Sequence, residues 1–153
     1  MAKSTKPVPE GYHTVTPYLI INGASDAIAF YKKALNATEL MRYENEGKIG
    51  HAEMQIGDSK IMLADEYPEM GIKSPTTYGG SPVGLHLYVE DVDALFNQAV
   101  ENGAKVQRPL QDQFYGDRSG SIEDPYGHVW YISTHKEDLT FEEMEKKKQA
   151  AQK

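Results

Sequence analysis

Two histidines and a glutamate are the leading candidates for chemistry in this chain of 153 residues. His51 and Glu53 are two residues apart, so in a β-strand both would point to the same face. His86 lies in a later alternating stretch and is expected to face the same cavity. Two imidazoles and a carboxylate can bind a divalent ion such as Zn, Ni, Mn or Fe and leave one position open for substrate oxygens. Without a metal, the three could bond to one another and to water, or Glu53 could act as a general base whose pKa is raised by burial.

Other polar side chains have a structural alternative. Arg118 could hold an anionic substrate in a bidentate grip, or it could contact Asp117 or Glu123 in a hairpin. His128 follows a tight turn and is predicted to be a structural partner of that turn. The two remaining histidines flank predicted strand ends and are expected to be solvated: His13 and His135.

Composition excludes several function classes. The chain has no cysteine, so it cannot form a disulfide, a thiolate zinc site or a cysteine nucleophile. A net charge of −7 disfavours a nucleic-acid partner, because phosphate binding needs clustered Lys and Arg. No run approaches the ~18 apolar residues of a membrane span, and the N-terminal residues lack the apolar core of a secretory signal. We therefore expect a cytoplasmic protein without a nucleic-acid or membrane partner.

The elements that would position these side chains follow a repeated order. In the first half, alternation and turn residues predict a strand over 12–21, a helix with Ser25 as its N-cap, and strands over 39–44, 49–56 and 60–64. The second half repeats this β-α-β-β-β order, with a helix capped by Asp91. Its strands are predicted over 83–89, 105–108, 118–122 and 128–133. Two copies of one structural unit would explain the recurrence.

This order predicts the domain organisation. Thr140 and Glu143 form a capping box, which indicates a terminal helix. The Pro- and Gly-bearing stretch between the units is long enough to be a linker or a pocket lid. The predicted parts are a flexible arm over 1–11, a first unit over 12–66, a linker loop over 67–81, a second unit over 82–136 and a C-terminal helix over 137–153.

Several motifs in this order resemble one known family. They are 17–19 ahead of 27–31, 51–59, 116–118, and the Asp-Pro-Tyr-Gly-His turn at 124–128. Together they resemble the glyoxalase/bleomycin resistance/extradiol dioxygenase superfamily, also called vicinal oxygen chelate, and within it the PhnB-like subgroup. The resemblance implies an α+β fold of two tandem β-α-β-β-β units, whose curled mixed sheets have helices outside and a ligand inside a half-open cup.

The resemblance also implies which residues form the site. Because side chains alternate between the two faces of a strand, every second side chain points into the cup, where tyrosines would give aromatic walls with polar tips. The candidate catalytic residue is Glu53, and the candidate metal ligands are His51, Glu53 and His86. The candidate substrate-binding residues are Thr16, Tyr18, Gln55, Tyr88, Arg118 and Tyr131.

The positions that hold the metal in glyoxalase I enzymes carry no competent ligand here. Matching strand to strand puts them at Thr16, Met62 or Leu63, Gly84 and Tyr131. We therefore expect a metal-free protein that binds a small molecule and is a homodimer, as superfamily cups are commonly completed by pairing. The alternative is a divalent-metal-dependent lyase or dioxygenase-type enzyme that acts on a small metabolite through His51, Glu53 and His86.

Overall fold

The computed structural model describes residues 5–152, so the predicted arm over 1–11 lies partly outside the described residues. Contacts divide the chain into two compact units, one ending at Gly79 and the other beginning at Gly80. By this division, residues 67–79 of the predicted linker belong to the first unit. Among the described residues, no helix has the length and apolar character needed to cross a bilayer.

The first unit is a four-stranded mixed sheet with one main helix. The strand order is β1-β4-β3-β2, in which β1 is parallel to β4 and the other pairs are antiparallel. A 3₁₀ turn at Pro68–Met70 and the short helix α2 at Pro75–Tyr78 follow the sheet. Its main elements are β1 (Tyr18–Ile21), α1 (Ala24–Ala34), β2 (Thr38–Asn45), β3 (Lys48–Ile56) and β4 (Ser59–Asp65).

The second unit repeats this topology. Its strand order is β5-β8-β7-β6, again with a parallel first pair and antiparallel others. Its elements are β5 (Gly84–Tyr88), α3 (Val92–Glu101), β6 (Lys105–Asp112), β7 (Asp117–Glu123), β8 (Val129–His135) and the terminal helix α4 (Phe141–Ala151). The prediction of two tandem β-α-β-β-β units in an α+β fold is confirmed.

Each sheet is covered by its helix on one face only, and we call the other the open face. In the first unit Met54, Ile61 and Leu63 are buried on the α1 side, whereas His51 and Glu53 on the alternate parity are half-buried. In the second unit Trp130 and Ile132 are buried on the α3 side, whereas Tyr131 between them is exposed. The predicted alternation therefore gave the correct parity for these strands.

The first predicted strand is too long. β1 begins at Tyr18, and Val15, inside the predicted strand, is 82% exposed. Pro17 marks the boundary because it has no N–H to donate to a neighbouring strand, although its carbonyl accepts a bond from Met62 N at 2.9 Å.

Helix capping agrees with the sequence at two helices and disagrees at one. The carboxylate of Asp91 accepts a bond from Ala94 N, and the hydroxyl of Thr140 accepts one from Glu143 N, as predicted. The prediction of Ser25 as the cap of α1 is wrong: Gly23, with φ 97°, is the N-cap and contributes no side chain. The donor groups at that end are bound instead by Asp65, at the end of β4.

The Asp-Pro-Tyr-Gly-His turn is organised by its first residue. Asp124 Oδ1 accepts bonds from the backbone N–H groups of Tyr126 and His128, and Asp124 Oδ2 accepts from Trp130 Nε1 at 2.8 Å. One buried carboxylate thus fixes both the turn and the largest core side chain of β8. His128 itself is buried beside the turn, in keeping with a structural part.

Candidate functional site

Four side chains form a hydrogen-bonded chain on the open face of the first sheet. Tyr12 donates its hydroxyl to Glu53 Oε1, and Glu53 Oε2 is 2.9 Å from His51 Nε2. His51 Nδ1 is in turn 2.8 Å from the hydroxyl of Tyr18. His51 and Glu53 come from β3, Tyr18 from β1, and Tyr12 from the segment that precedes β1. The structure therefore brings together two of the three predicted metal ligands and one predicted substrate-binding residue.

Charge and donor chemistry fix the direction of this chain. An ionised carboxylate only accepts, so a neutral His51 carries its proton on Nε2 and accepts the Tyr18 hydroxyl proton at Nδ1. The bond from Tyr12, followed by the one from His51, lowers the pKa of Glu53 below its ordinary value. The alternative in which burial raises this pKa is wrong, because these donors stabilise the ionised form more than burial destabilises it.

The two tyrosines shift in the opposite sense. Burial, followed by the bond to Glu53, raises the pKa of Tyr12 to about 12. Burial, followed by the charge of Glu53, also raises the pKa of Tyr18. Both phenols are therefore neutral at physiological pH, and the Tyr18 oxygen, whose proton is directed to His51, lies at the edge of a cavity.

That cavity, of about 680 Å³, lies between the open face of the first sheet and the segment 67–78, which we call the roof segment. The sheet lines it with Tyr18, Ile20, Gly50, Ala64 and Asp65. The roof segment contributes Tyr67, Met70, Gly71, Ile72, Lys73 and Tyr78. Three tyrosines and several apolar side chains thus surround a volume suited to a small molecule.

Local contacts hold the roof segment. Tyr67 and Ile72 exchange backbone hydrogen bonds of 2.7 and 3.1 Å, which closes a small loop around the 3₁₀ turn. Glu66 Oε1 accepts bonds from Ser74 N at 2.8 Å and from Thr77 Oγ1 at 2.7 Å. These bonds keep the pKa of Glu66 below its ordinary value, so the carboxylate stays ionised near neutral pH. The predicted loop therefore includes a tethered, cavity-lining segment.

The open face of the second sheet carries His86, Tyr88 and Tyr131, as predicted. His86 stacks on Tyr88 with ring centroids 4.7 Å apart, and its Nε2 is 2.8 Å from Ser133 Oγ. Tyr88 donates its hydroxyl to Asp117 Oδ2 at 2.9 Å. The imidazole of His86 thus has neighbours of its own within the second unit.

The sequence led us to expect that His135 is solvated, but the structure gives it two carboxylate partners. Its Nδ1 is 2.7 Å from Asp117 Oδ1 and its Nε2 is 2.7 Å from Asp138 Oδ1. The bond to Asp117, followed by the bond to Asp138, raises the pKa of His135 above its ordinary value. The two carboxylates therefore favour the imidazolium form.

Arg118 lies on the helix-facing side of its strand. Its Nη2 is 2.9 Å from Asp93 Oδ1 on α3, its Nε also bonds that carboxylate, and its Nη1 is 3.4 Å from Asp112 Oδ1. The prediction of Asp117 or Glu123 as its partner is wrong because strand parity sends Arg118 towards α3. Arg118 therefore does not join Tyr88 and Tyr131 on the open face.

The two other predicted substrate-binding residues lie at the margins of the first site. Thr16 is half-buried just before β1. Gln55 lies on β3 two residues beyond Glu53, and its Nε2 donates to Gly57 O at 2.9 Å. Sequence reasoning missed Tyr12, because its partner Glu53 is 41 residues away and nothing in the local pattern signals the pairing.

The positions that the resemblance matches to the metal ligands of glyoxalase I enzymes carry no His, Asp or Glu. β-Sheet register pairs Tyr18 with Met62 in the first unit and His86 with Tyr131 in the second. A Cβ atom at Gly84 would lie 2.3 Å from the ring of Tyr131, so that ring occupies the space of a larger side chain at Gly84. Among residues 5–152, no group of three or more His, Asp or Glu side chains has a geometry that could hold a metal ion.

Comparison with known proteins agrees with this architecture. The family model described as Glyoxalase/Bleomycin resistance protein/Dioxygenase superfamily matches residues 12–132. An uncharacterized protein from Mycobacterium tuberculosis is 42% identical over 135 residues, which cover 86% of this chain and 79% of that protein.

Solved structures show the same fold. A Pseudomonas aeruginosa protein is 26% identical and superposes with a TM-score of 0.65, over 82% of this chain and 99% of that one. The fosfomycin resistance protein FosX from Mesorhizobium loti superposes with a TM-score of 0.58 over 86% of this chain and 95% of its own, at 16% identity. That second likeness concerns the fold alone. The family match and the mycobacterial relative together show that this chain belongs to the glyoxalase/bleomycin resistance protein/dioxygenase superfamily.

Proposed function

We propose that the first unit binds a small, flat, amphipathic molecule in the cavity under the roof segment. The observation that carries the proposal is the cavity of about 680 Å³ with three tyrosines in its wall, one of them hydrogen-bonded to His51. Flat aromatic walls favour a planar ligand, and the phenol tips offer it hydrogen bonds.

The polar chain gives this cavity a defined hydrogen-bonding character. Tyr18 directs its proton to His51, so its oxygen keeps lone-pair capacity for a donor group on the ligand. If the protein is an enzyme, Tyr18 can give its hydroxyl proton to His51 Nδ1 while its oxygen takes a proton from the ligand, and the ionised Glu53 stabilises the resulting imidazolium. Such a step would suit a lyase acting on a small metabolite, with Glu53 as a charge-stabilising group.

Binding of Nile red, an uncharged flat dye that fluoresces in apolar surroundings, tests the proposal. We expect saturable binding that weakens at least fivefold in Tyr78→Ala, because Tyr78 lines the cavity from the roof segment. Tyr43→Ala is the matched control, since Tyr43 is 70% exposed, close to the 67% of Tyr78, but does not line the cavity. Equal binding by wild type and both variants would contradict the proposal.

The alternative is a divalent-metal enzyme that uses His51, Glu53 and His86. His51 and Glu53 already bond each other. The other ring nitrogen of His51 bonds Tyr18 and the other carboxylate oxygen of Glu53 bonds Tyr12, so a metal would have to displace these partners. Elemental analysis of the native protein and of His51→Ala, Glu53→Ala and His86→Ala distinguishes the two. We expect less than stoichiometric metal in all four, whereas stoichiometric metal lost in each variant would favour the alternative.

We further propose that the protein is a cytoplasmic homodimer of the PhnB-like subgroup without a nucleic-acid partner. The motif order supports the subgroup, and the net charge of −7 argues against nucleic acid. Light scattering coupled to size exclusion should give about twice the chain mass of 17.1 kDa. A mass equal to one chain at micromolar concentration would contradict the dimer.

A further inference from the structure

A row of side chains crosses the open face of the second sheet. β-Sheet register pairs Arg108 with Ser121, Ser121 with Tyr131, and Tyr131 with His86, so these four residues lie side by side on four neighbouring strands. Neighbouring strands are about 4.8 Å apart, so about 10 Å separates the strand of Arg108 from that of Tyr131. The small side chain of Ser121 lies between them.

A cavity of about 400 Å³ lies over this part of the row. Ser119, Gly120 and Ser121 form a floor of small residues, and Tyr131 stands at one side. Arg108, Pro109, Gln111, Gln113, Phe114 and Tyr115 complete the lining. The cavity is therefore a slot with aromatic walls, neutral hydrogen-bonding groups and a single arginine.

Arg108 differs from the other two arginines in its partners. Arg42 pairs with Glu39 and Arg118 pairs with Asp93, whereas among residues 5–152 Arg108 has no carboxylate within ion-pair distance. The described lining of the cavity contains no Asp or Glu. In a chain with a net charge of −7, this slot is a local cationic site.

The two acidic residues where β6 ends and β7 begins are already bonded to other groups. Asp112 contacts Arg118, and Asp117 accepts from Tyr88 and pairs with His135. Neither lines the slot. The guanidinium of Arg108 is therefore free to take an anionic group from a ligand.

We propose that this slot binds a small aromatic carboxylate, with Arg108 holding the carboxylate and Tyr131 packing against the ring. An aromatic ring with a carboxylate bridges the distance between these two side chains across the Ser121 floor. The difference in affinity between anionic and neutral ligands then comes from Arg108, whereas the aromatic walls contribute to the binding of both. The inference concerns the second unit and does not depend on the cavity under the roof segment.

A matched pair of fluorescent probes tests the charge requirement. Anthranilate and anthranilamide have the same ring and the same amine. Anthranilate carries a charged carboxylate where anthranilamide carries a neutral amide. We expect wild-type protein to bind anthranilate about tenfold more tightly than anthranilamide, a ratio typical of one partly exposed charged hydrogen-bonded pair. Fluorescence titration with excitation above the absorption of Tyr and Trp measures both affinities.

Three variants assign the effect. Arg108→Gln should bring the ratio close to one, while Lys105→Gln, which removes the same charge from an exposed residue of β6 outside the slot, should leave it unchanged. Tyr131→Leu should weaken both probes and preserve the ratio. No measurable binding, no preference in the wild type, or a preference that survives Arg108→Gln would each overturn the proposal. Nile red binding by the same Arg108→Gln protein reports on the first-unit cavity separately.

Discussion

Replacing Asp65 should destabilise the protein more than replacing any other residue near the first cavity. Asp65 is 8% exposed, and its carboxylate accepts three backbone N–H groups, from Gly23 at 3.1 Å, Ala24 at 2.9 Å and Ile49 at 2.7 Å. Two of these donors belong to the N-terminus of α1, where a negative charge also interacts favourably with the helix dipole. Hydrogen bonds to a charged group contribute about 1.5–3 kcal/mol each, and water can replace part of that. We therefore expect Asp65→Ala to lower the free energy of unfolding by about 3–5 kcal/mol.

Urea denaturation followed by circular dichroism measures this change, with the slope checked against wild type. Asp65→Asn keeps one acceptor oxygen but places its NH₂ group opposite a backbone N–H. It should lower the free energy of unfolding by about half as much as Asp65→Ala. Ser25→Ala is the control, because Ser25 occupies the first turn of α1 but makes no capping bond and accepts only a 3.3 Å bond from Arg42. It should change the free energy of unfolding by less than about 0.5 kcal/mol. A loss below about 1 kcal/mol for Asp65→Ala, or an equal loss for Ser25→Ala, would refute the reasoning.

Three further predictions follow from the contacts described. Tyr12→Phe should raise the pKa of Glu53 towards its ordinary value and remove one phenol that titrates near pH 12, as read from absorbance at 295 nm and from carboxylate NMR shifts. Because the bond to Asp117 raises the pKa of His135, its charged form stabilises the fold below about pH 6.5 and this contribution is lost as pH rises through the raised pKa. The stability gap between wild type and His135→Gln should therefore be largest at pH 5.5 and smallest at pH 9; a gap that widens with pH would contradict this. Deleting 139–153 should cost less than about 1 kcal/mol, since α4 has no buried residue, and failure of the shortened chain to fold would show that α4 matters.

Strand parity was predictable from the sequence because the buried side of a strand repeats every second residue. His51 and Glu53 alternate with Ala52 and Met54, so the amino-acid pattern alone marks one side of β3 as polar. The same rule gave Tyr131 the open face between Trp130 and Ile132. The repeat of β-α-β-β-β order then fixed the fold, since each helix has one apolar sheet face to cover.

Contacts between distant residues were not predictable in the same way. The cap of α1 comes from Asp65, about 40 residues away, whereas the capping rules consider neighbours in sequence and so selected Ser25. The hairpin pattern favoured partners for Arg118 within its own hairpin, although its strand parity turns it to Asp93 on α3. The roof segment contains Pro and Gly residues, so its sequence is typical of a loop. The hydrogen bonds by which Glu66 holds this segment have no signature in the local sequence.

The two units share one strand order but carry different side chains on their open faces. On the first strand of each unit, Tyr18 lies opposite Met62 and His86 lies opposite Tyr131. In the first unit the neighbouring side chains add the ionised Glu53, which bonds the Tyr12 phenol and His51, and His51 in turn bonds the Tyr18 phenol. In the second unit the corresponding strands carry serines on that face, which leave room for a ligand beside Arg108. The proposed proton transfer therefore belongs to the first face, and the proposed anion site belongs to the second. A shared fold accordingly says little about chemistry until the open-face residues of each unit are considered separately.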